Sequence, residues 1–317
     1  EIGDEGFTQQ IKTSLRNEIQ NDIEHIYMLL AMLYDTRSIQ LVKENIDSGT
    51  ADGITYAVEL LDVFLAEQLK QRVIPVLDDL TENERISRLE DFYPRVKLDS
   101  KLVLKFIINR DFTQSNRWTK ACVIFQIGMQ RINDFKLDLI AQMFNPDSFI
   151  QEVSAWALFQ LNPAEYHQNT RRLGDRKKRE LDKLIIQSSQ MTGFEKVLFF
   201  QKIPIFENSA GLTLSYMADI STELHIKSGD TLILDESATN SFFVLVSGSI
   251  DFYQKGEFVS QFSPGQFIGE MLPLPNFVNT NLLIARSDVI ILSLNKDQFY
   301  GLLADHVKLA DKMLAFI

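Results

Sequence analysis

The sequence predicts an α+β chain of two domains. An all-α repeat region spans residues 1–190, and a small β-roll or jelly roll with flanking helices spans 193–317. Three observations carry this. Apolar residues recur at helical spacing through the first half, in pairs of short segments. Short alternating stretches broken by glycine turns fill the last third. Between them lies Ser188-Ser-Gln-Met-Thr-Gly193, a polar stretch that reads as a linker.

In chain order, residues 7–47 read as two helices. Ile23, Ile26, Tyr27, Leu30 and Leu33 form one stripe, and Asp47-Ser48-Gly49 is a helix stop. Thr50–Leu65 places Ile54, Ala57, Val58, Leu61 and Leu65 on a second stripe, and Glu67–Leu80 adds Leu69, Val73, Ile74 and Leu77, with Pro75 inside the pattern. Two further helices run over Asn116–Gly128 and Pro146–Leu158, the latter with Pro146 expected at the first helical position. Ala121 and Ala155 stand 34 residues apart, a spacing that fits stacked helix pairs in an α-solenoid. Arg171, Arg172 and Asp175-Arg-Lys-Lys-Arg179 form a basic cluster that reads as a solvated helix face; the functional alternative is contact with anionic lipid headgroups or an acidic partner. Phe194, Val197, Leu198 and Ile203 are expected to cover the roll. A short helix over Gly211–Ile220 precedes strands at about 222–294, and Asn295 is placed to cap a terminal helix carrying Leu302, Leu303, Leu309, Met313 and Leu314.

Composition narrows the function. A net charge of -11 in 317 residues argues against nucleic acid as partner. The single cysteine, Cys122, excludes an internal disulfide, fits a reducing compartment and reads as a buried thiol. No apolar run reaches the roughly 18 residues of a membrane span. His25, His167, His225 and His306 stand too far apart for metal-ligand spacing. There is no phosphate-loop or nucleophile-elbow motif. The expectation is a non-enzymatic protein in the cytoplasm or at the cytoplasmic face of a membrane, with no metal.

The final third carries an ordered set of pieces: Lys202-Ile-Pro-Ile-Phe206, Lys227-Ser-Gly-Asp230, Phe243-Val-Leu-Val-Ser-Gly-Ser-Ile250, Pro264-Gly265, Phe267-Ile-Gly-Glu270, Ala285-Arg-Ser-Asp288 and Asn295-Lys-Asp-Gln-Phe299. In this it resembles the cyclic-nucleotide-binding domain family. The resemblance implies a jelly roll whose stretch after Phe-Gly-Glu is a phosphate-binding cassette. In the family, the glutamate accepts the ribose 2'-hydroxyl and an arginine nine residues later pairs with the cyclic phosphate. The corresponding candidate ligand residues are Gly269, Glu270, Met271, Leu272, Asn279 and Thr280. Asn279 stands at the arginine position, no Lys or Arg occurs from Pro264 to Leu282, and Pro273 and Pro275 fall where the family has a short helix. Losing a charge-assisted hydrogen bond to the phosphate costs about 1.5–3 kcal/mol. Glu270 then reads as a cap on backbone N–H groups of the glycine turn, and no cofactor is expected. A working sensor would need a replacement cation from elsewhere, from Arg286 or from another chain.

The helical half resembles HEAT repeats. Tyr56-Ala-Val-Glu-Leu-Leu-Asp62 followed by Ile74-Pro-Val-Leu-Asp-Asp79 is also similar to the soluble helical region of bacterial ADP/ATP-exchanger-type transporters, which is followed by a cyclic-nucleotide-binding-type domain. That similarity implies a protein partner on the helical repeats and a membrane transporter as neighbour. The alternatives are a working cAMP or cGMP sensor and a fragment of a transcription regulator, the last disfavoured by the acidic balance.

Overall fold

A computed structural model describes residues 7–96, 98–111, 114–233, 240–268, 281–306, 309–311 and 313. The chain divides into two compact units, Glu1–Leu104 and Lys105–Ile317.

The first unit is helical: α1 (Phe7–Leu33), α2 (Thr36–Asp47), α3 (Ala51–Phe64), α4 (Glu67–Leu77) and α5 (Glu82–Leu89), with α6 (Ser100–Asn109) beginning in this unit and ending in the next. The sequence marks three of these starts, while α4 follows Ala66 with no side-chain cap. Asp35, Thr50 and Thr81 accept backbone N–H groups at the N-termini of α2, α3 and α5, and Thr81 with Glu84 completes a capping box. Gly49, at φ 64°, follows the end of α2, where the sequence places a stop. The core is one stripe per helix: Tyr27, Leu30, Ile39, Val42, Ala57, Leu61, Leu65 and Leu77. Leu33 departs from expectation. It is 71% exposed, because α1 ends there and the chain turns at Asp35.

In the second unit, α7 (Arg117–Gln130) packs along α9 (Ser148–Leu161), with α8 (Lys136–Gln142) between them in sequence. Ala57, Ala121 and Ala155 are all fully buried. Pro146 does not start α9. Asp147 is the N-cap, and its carboxylate accepts the Phe149 N–H, so the helix begins at Ser148. Then follow α10 (Pro163–Thr170) and α11 (Asp175–Ile185). Two short helices, α12 (Gly193–Phe200) and α13 (Gly211–Asp219), lead into the strands.

Eight strands are described: β1 (Ser221–Ile226), β2 (Thr231–Ile233), β3 (Ser241–Ser247), β4 (Ile250–Gln254), β5 (Glu257–Phe262), β6 (Phe267–Ile268), β7 (Asn281–Ala285) and β8 (Val289–Asn295). They form two four-stranded antiparallel sheets, ordered β1-β8-β3-β6 and β2-β7-β4-β5. The roll is not closed: among the described residues no ladder joins one sheet to the other. Instead the two inner faces share an apolar core of Phe243, Leu245, Ile250, Ile268, Leu283, Ala285, Val289 and Ile291. Gly248 at φ 86° makes the turn between β3 and β4; a Cβ there would lie 2.5 Å from the Asp288 carbonyl oxygen. The terminal helix α14 (Lys296–Asp305) is capped by Asn295, as the sequence predicts, and sets Phe299 against Phe242 on the back of the first sheet.

The expected linker is tied down. Met191 N–H donates to Glu223 Oε2 at 2.6 Å, Gly193 N–H to Glu152 Oε2 at 3.1 Å, and Thr192 forms a capping box with Glu195. Phe194 packs on α7. Its ring stacks on Trp118 at 5.0 Å and on Phe125 at 4.3 Å, both on α7.

Candidate functional site

The candidate ligand stretch connects the two sheets. Its leading strand, β6, is the edge of the first sheet, and the strand that follows, β7, lies between β2 and β4 in the second. Gly269, Glu270, Met271, Leu272, Asn279 and Thr280 all fall between these strands, outside the described residues.

What is described is the frame. Pro264-Gly265 forms the turn that the sequence indicates, with Gly265 at φ 87°. Gly265 N–H donates to the Leu245 carbonyl at 2.8 Å, Leu245 N–H to the Gln266 carbonyl at 3.0 Å, and Ser263 N–H to Gln266 Oε1 at 2.7 Å. These bonds fix the start of the stretch against β3. Inside, Phe243 pairs with Ile268, and Leu283 faces the same core with Ile250.

Arg286 lies elsewhere. Side chains alternate across a strand, and in β4 the inward residues are Ile250 and Phe252, which leaves Asp251 and Tyr253 on the outer face. Arg286 pairs with Asp251 through Nε and donates to Tyr253 Oη at 3.2 Å; Gln261 Nε2 donates to Asp251 Oδ1 at 3.0 Å. The Asp251 side chain is 3% exposed. Burial pushes its carboxyl up, but the hydrogen bonds from Arg286 and Gln261 outweigh that and hold it below the usual carboxylate range. With Phe258 these residues line an open hollow on the outside of the second sheet. The candidate replacement cation is thus turned away from the shared core and committed to a buried acid. The sequence carries a faint signal of this: Asp251 is a lone acid at an alternating position of a strand of apolar and aromatic residues.

The turn after β1 is braced from the other end of the domain. Lys227 Nζ pairs with Asp288 Oδ2 at 2.8 Å, and Ser228 N–H donates to Asp288 Oδ1 at 3.0 Å. Both residues belong to the pieces that the sequence marks, Lys227–Asp230 and Ala285–Asp288. Both side chains are largely exposed, so the pair is a surface brace between these two turns.

The cyclic nucleotide-binding domain model matches residues 223–306. Those residues form a cyclic nucleotide-binding domain. Over 107 residues the chain is 30% identical to a cAMP-dependent protein kinase regulatory subunit of Colletotrichum orbiculare, covering 33% of this chain and 27% of that protein. It is 28% identical over 137 residues to a cGMP-dependent protein kinase of Caenorhabditis elegans, covering 39% of this chain and 18% of the relative. Among solved structures, the sensor domain of the transcriptional regulator DNR from Pseudomonas aeruginosa is 17% identical with a TM-score of 0.34, over 39% of this chain and 86% of that one. The regulatory subunit of a cAMP-independent protein kinase A from Trypanosoma brucei is 19% identical with a TM-score of 0.32, over 43% and 52%. The chain spans less than a third of the length of these curated relatives.

Elsewhere, Cys122 is fully buried on α7, and burial pushes its thiol well up, which makes it inert. The four histidines do not come together: among the described residues no group of three or more His, Cys, Asp or Glu could hold a metal ion. No described helix is long and apolar enough to cross a membrane.

Proposed function

We infer that this chain is a non-enzymatic regulatory or interaction protein whose cyclic nucleotide-binding domain has lost the cation that meets a cyclic phosphate. One observation carries the reading. Arg286, the nearby basic side chain that could replace the missing cassette arginine, is paired with the buried Asp251 on the outer face of the sheet. Asn279 at the arginine position supports it. Residues 1–190 act as a HEAT-like surface for a protein partner, and residues 193–317 as the regulatory domain. The similarity of the helical segment to transporter-attached helices favours a place on the cytoplasmic face of a membrane, beside a nucleotide transporter. The basic cluster runs from Arg171 and Arg172, ahead of α11, to Arg179 on it. Arg176 and Lys177 pair with Glu180, and Lys178 with Asp182, which favours the solvated helix face.

Titration calorimetry with cAMP and cGMP is the test. The expected outcome is no binding at micromolar concentration, and clear micromolar heat overturns the reading. The likeness to cAMP-dependent kinase regulatory subunits favours a second reading, a working sensor with Glu270 on the ribose. Under that reading Glu270→Ala abolishes the heat, and an unchanged affinity removes it.

A further inference from the structure

The first unit is the acidic one. Residues 1–104 hold 20 Asp and Glu against 11 Lys and Arg, so they carry -9 of the chain's net -11, while residues 105–317 hold 23 against 21. On that acidic unit lies an uncovered apolar patch. Met28, Leu29, Met32 and Leu33 stand in the last turns of α1, at spacings of three and four residues that set them on one broad side of the helix. All four are more than half exposed, Met32 by 82%. The other side, with Tyr27 and Leu30, is the one that enters the core. Val63, near the end of α3, is 84% exposed. Tyr34 and Phe64, the residues next after Leu33 and Val63, pack ring to ring at 5.4 Å, which brings both stretches to one end of the helical unit. Five such side chains expose on the order of 500 Å², at the upper end of what a monomer leaves uncovered and a mark of an interaction site.

The chemistry of the patch selects its partner. It is built on helices, which present no edge to an added strand. Ridges at three- and four-residue spacing accept the apolar stripe of another helix, and the unbranched methionines adapt to its shape. Acids border it. Asp22 is exposed on α1, two turns before Leu29. Glu59 is exposed one turn before Val63, and Asp62, beside Val63, is exposed while pairing with Lys70 at 3.2 Å. A second copy of this unit brings the same negative charge, and so does an anionic lipid surface. A basic helix brings the opposite one.

We propose that this patch on α1 and α3 is the seat of a basic amphipathic helix of a partner protein. The proposal rests on the reading of residues 1–190 as a partner surface, and it names the chemistry of that partner. The apolar stripe of the incoming helix covers Leu29, Met32 and Val63, and its flanking Lys and Arg side chains meet Asp22 and Glu59.

The test is to titrate the full chain, labelled at its methionine methyl groups, with a synthetic Leu/Lys peptide that folds as an amphipathic helix. The Met28 and Met32 resonances, identified through Met28→Leu and Met32→Leu, should move as the peptide binds. Leu29→Gln with Met32→Gln should weaken binding by about tenfold or more. Both side chains face solvent, so that variant should keep the parent's thermal midpoint. A scrambled peptide of the same composition, with no apolar face, should bind about tenfold more weakly than the helix. Equal binding of the two peptides, or shifts that spare Met28 and Met32, overturns the proposal. Self-association of the chain without peptide, abolished by Met32→Gln, also overturns it and makes the patch an interface between copies. Uptake by phosphatidylcholine vesicles that broadens the same two resonances overturns it in favour of a lipid contact. The cAMP and cGMP calorimetry reads residues 223–306 separately, so failure there and failure here are distinct results.

Discussion

The helices of the first unit and the α7–α9 pair are written in much the same alphabet, yet they solve different problems. Each of α1–α5 buries at most a single stripe, and Met28, Leu29, Met32, Leu33 and Val63 remain exposed. In α7, eleven of fourteen residues are buried, because the helix is covered by α9 and by α12–α13. A helix enclosed on several sides must bury polar groups as well, and those groups need partners. Arg117 finds two carboxylates, and Lys120 Nζ donates to the Arg110 carbonyl. The core of the first unit is apolar, with ion pairs such as Lys43–Glu24 only part-buried; the α7 region combines area with buried charge, and so it is more exposed to single-site damage.

The largest break in that comparison should come from Arg117→Ala. It leaves Asp147 and Asp219 without their shared guanidinium, and breaking such a buried pair costs about 3–5 kcal/mol, read as a fall in the urea midpoint. Leu61→Ala opens a cavity in the first unit and should cost about 2–4 kcal/mol; hydrogen exchange should place the loss in α2 and α3 and leave α7 protected. Asn295→Ala removes the cap of α14 and should cost about 1 kcal/mol, seen as a small shift in thermal midpoint.

The finest effect is one of pH. Burial pushes the Glu152 carboxyl above the usual carboxylate range, against the Gly193 N–H, Lys177 and Lys196, which pull it down. An acid whose folded pKa is raised binds its proton more tightly in the folded state. Its contribution is therefore present below the unfolded pKa and lost as pH rises through the folded value. Glu152→Gln keeps an acceptor for Gly193 and has no charge to bury. The variant's stability relative to the parent should rise as pH climbs out of the acid range and level off near neutrality. A difference that falls over that interval would show the charge to be net favourable.

Much of this was legible in the residues, because the signals are local. Asp47-Ser48-Gly49, Asn295, Gly248 and Pro264-Gly265 each specify a stop, a cap or a turn within a few positions. The alternation in Phe242–Tyr253 and Leu282–Leu294 returns as β3, β4, β7 and β8. What could not be read was partnership. Phe194 has the spacing to cover strands, and its ring lies on α7, a segment some seventy residues earlier in the chain. Arg117 and Asp219 are 102 residues apart, and no periodicity links them. Asp251 and Arg286 belong to different strands' ends, so their union follows from register, which the sequence of either strand alone does not fix. The candidate ligand residues are legible only through the family motif, and they fall outside the described structure.

The anchored stretch from Ser188 to Gly193 has a practical consequence for anyone who wishes to work with the sensor-like half by itself. Cutting there would strip Phe194, Gly211 and Tyr216 of the tryptophan, phenylalanine and arginine that cover them. The excised piece would carry a raw, sticky flank and would clump in solution. A well-behaved truncation must keep α7 through α11, so it has to start upstream of Asn116.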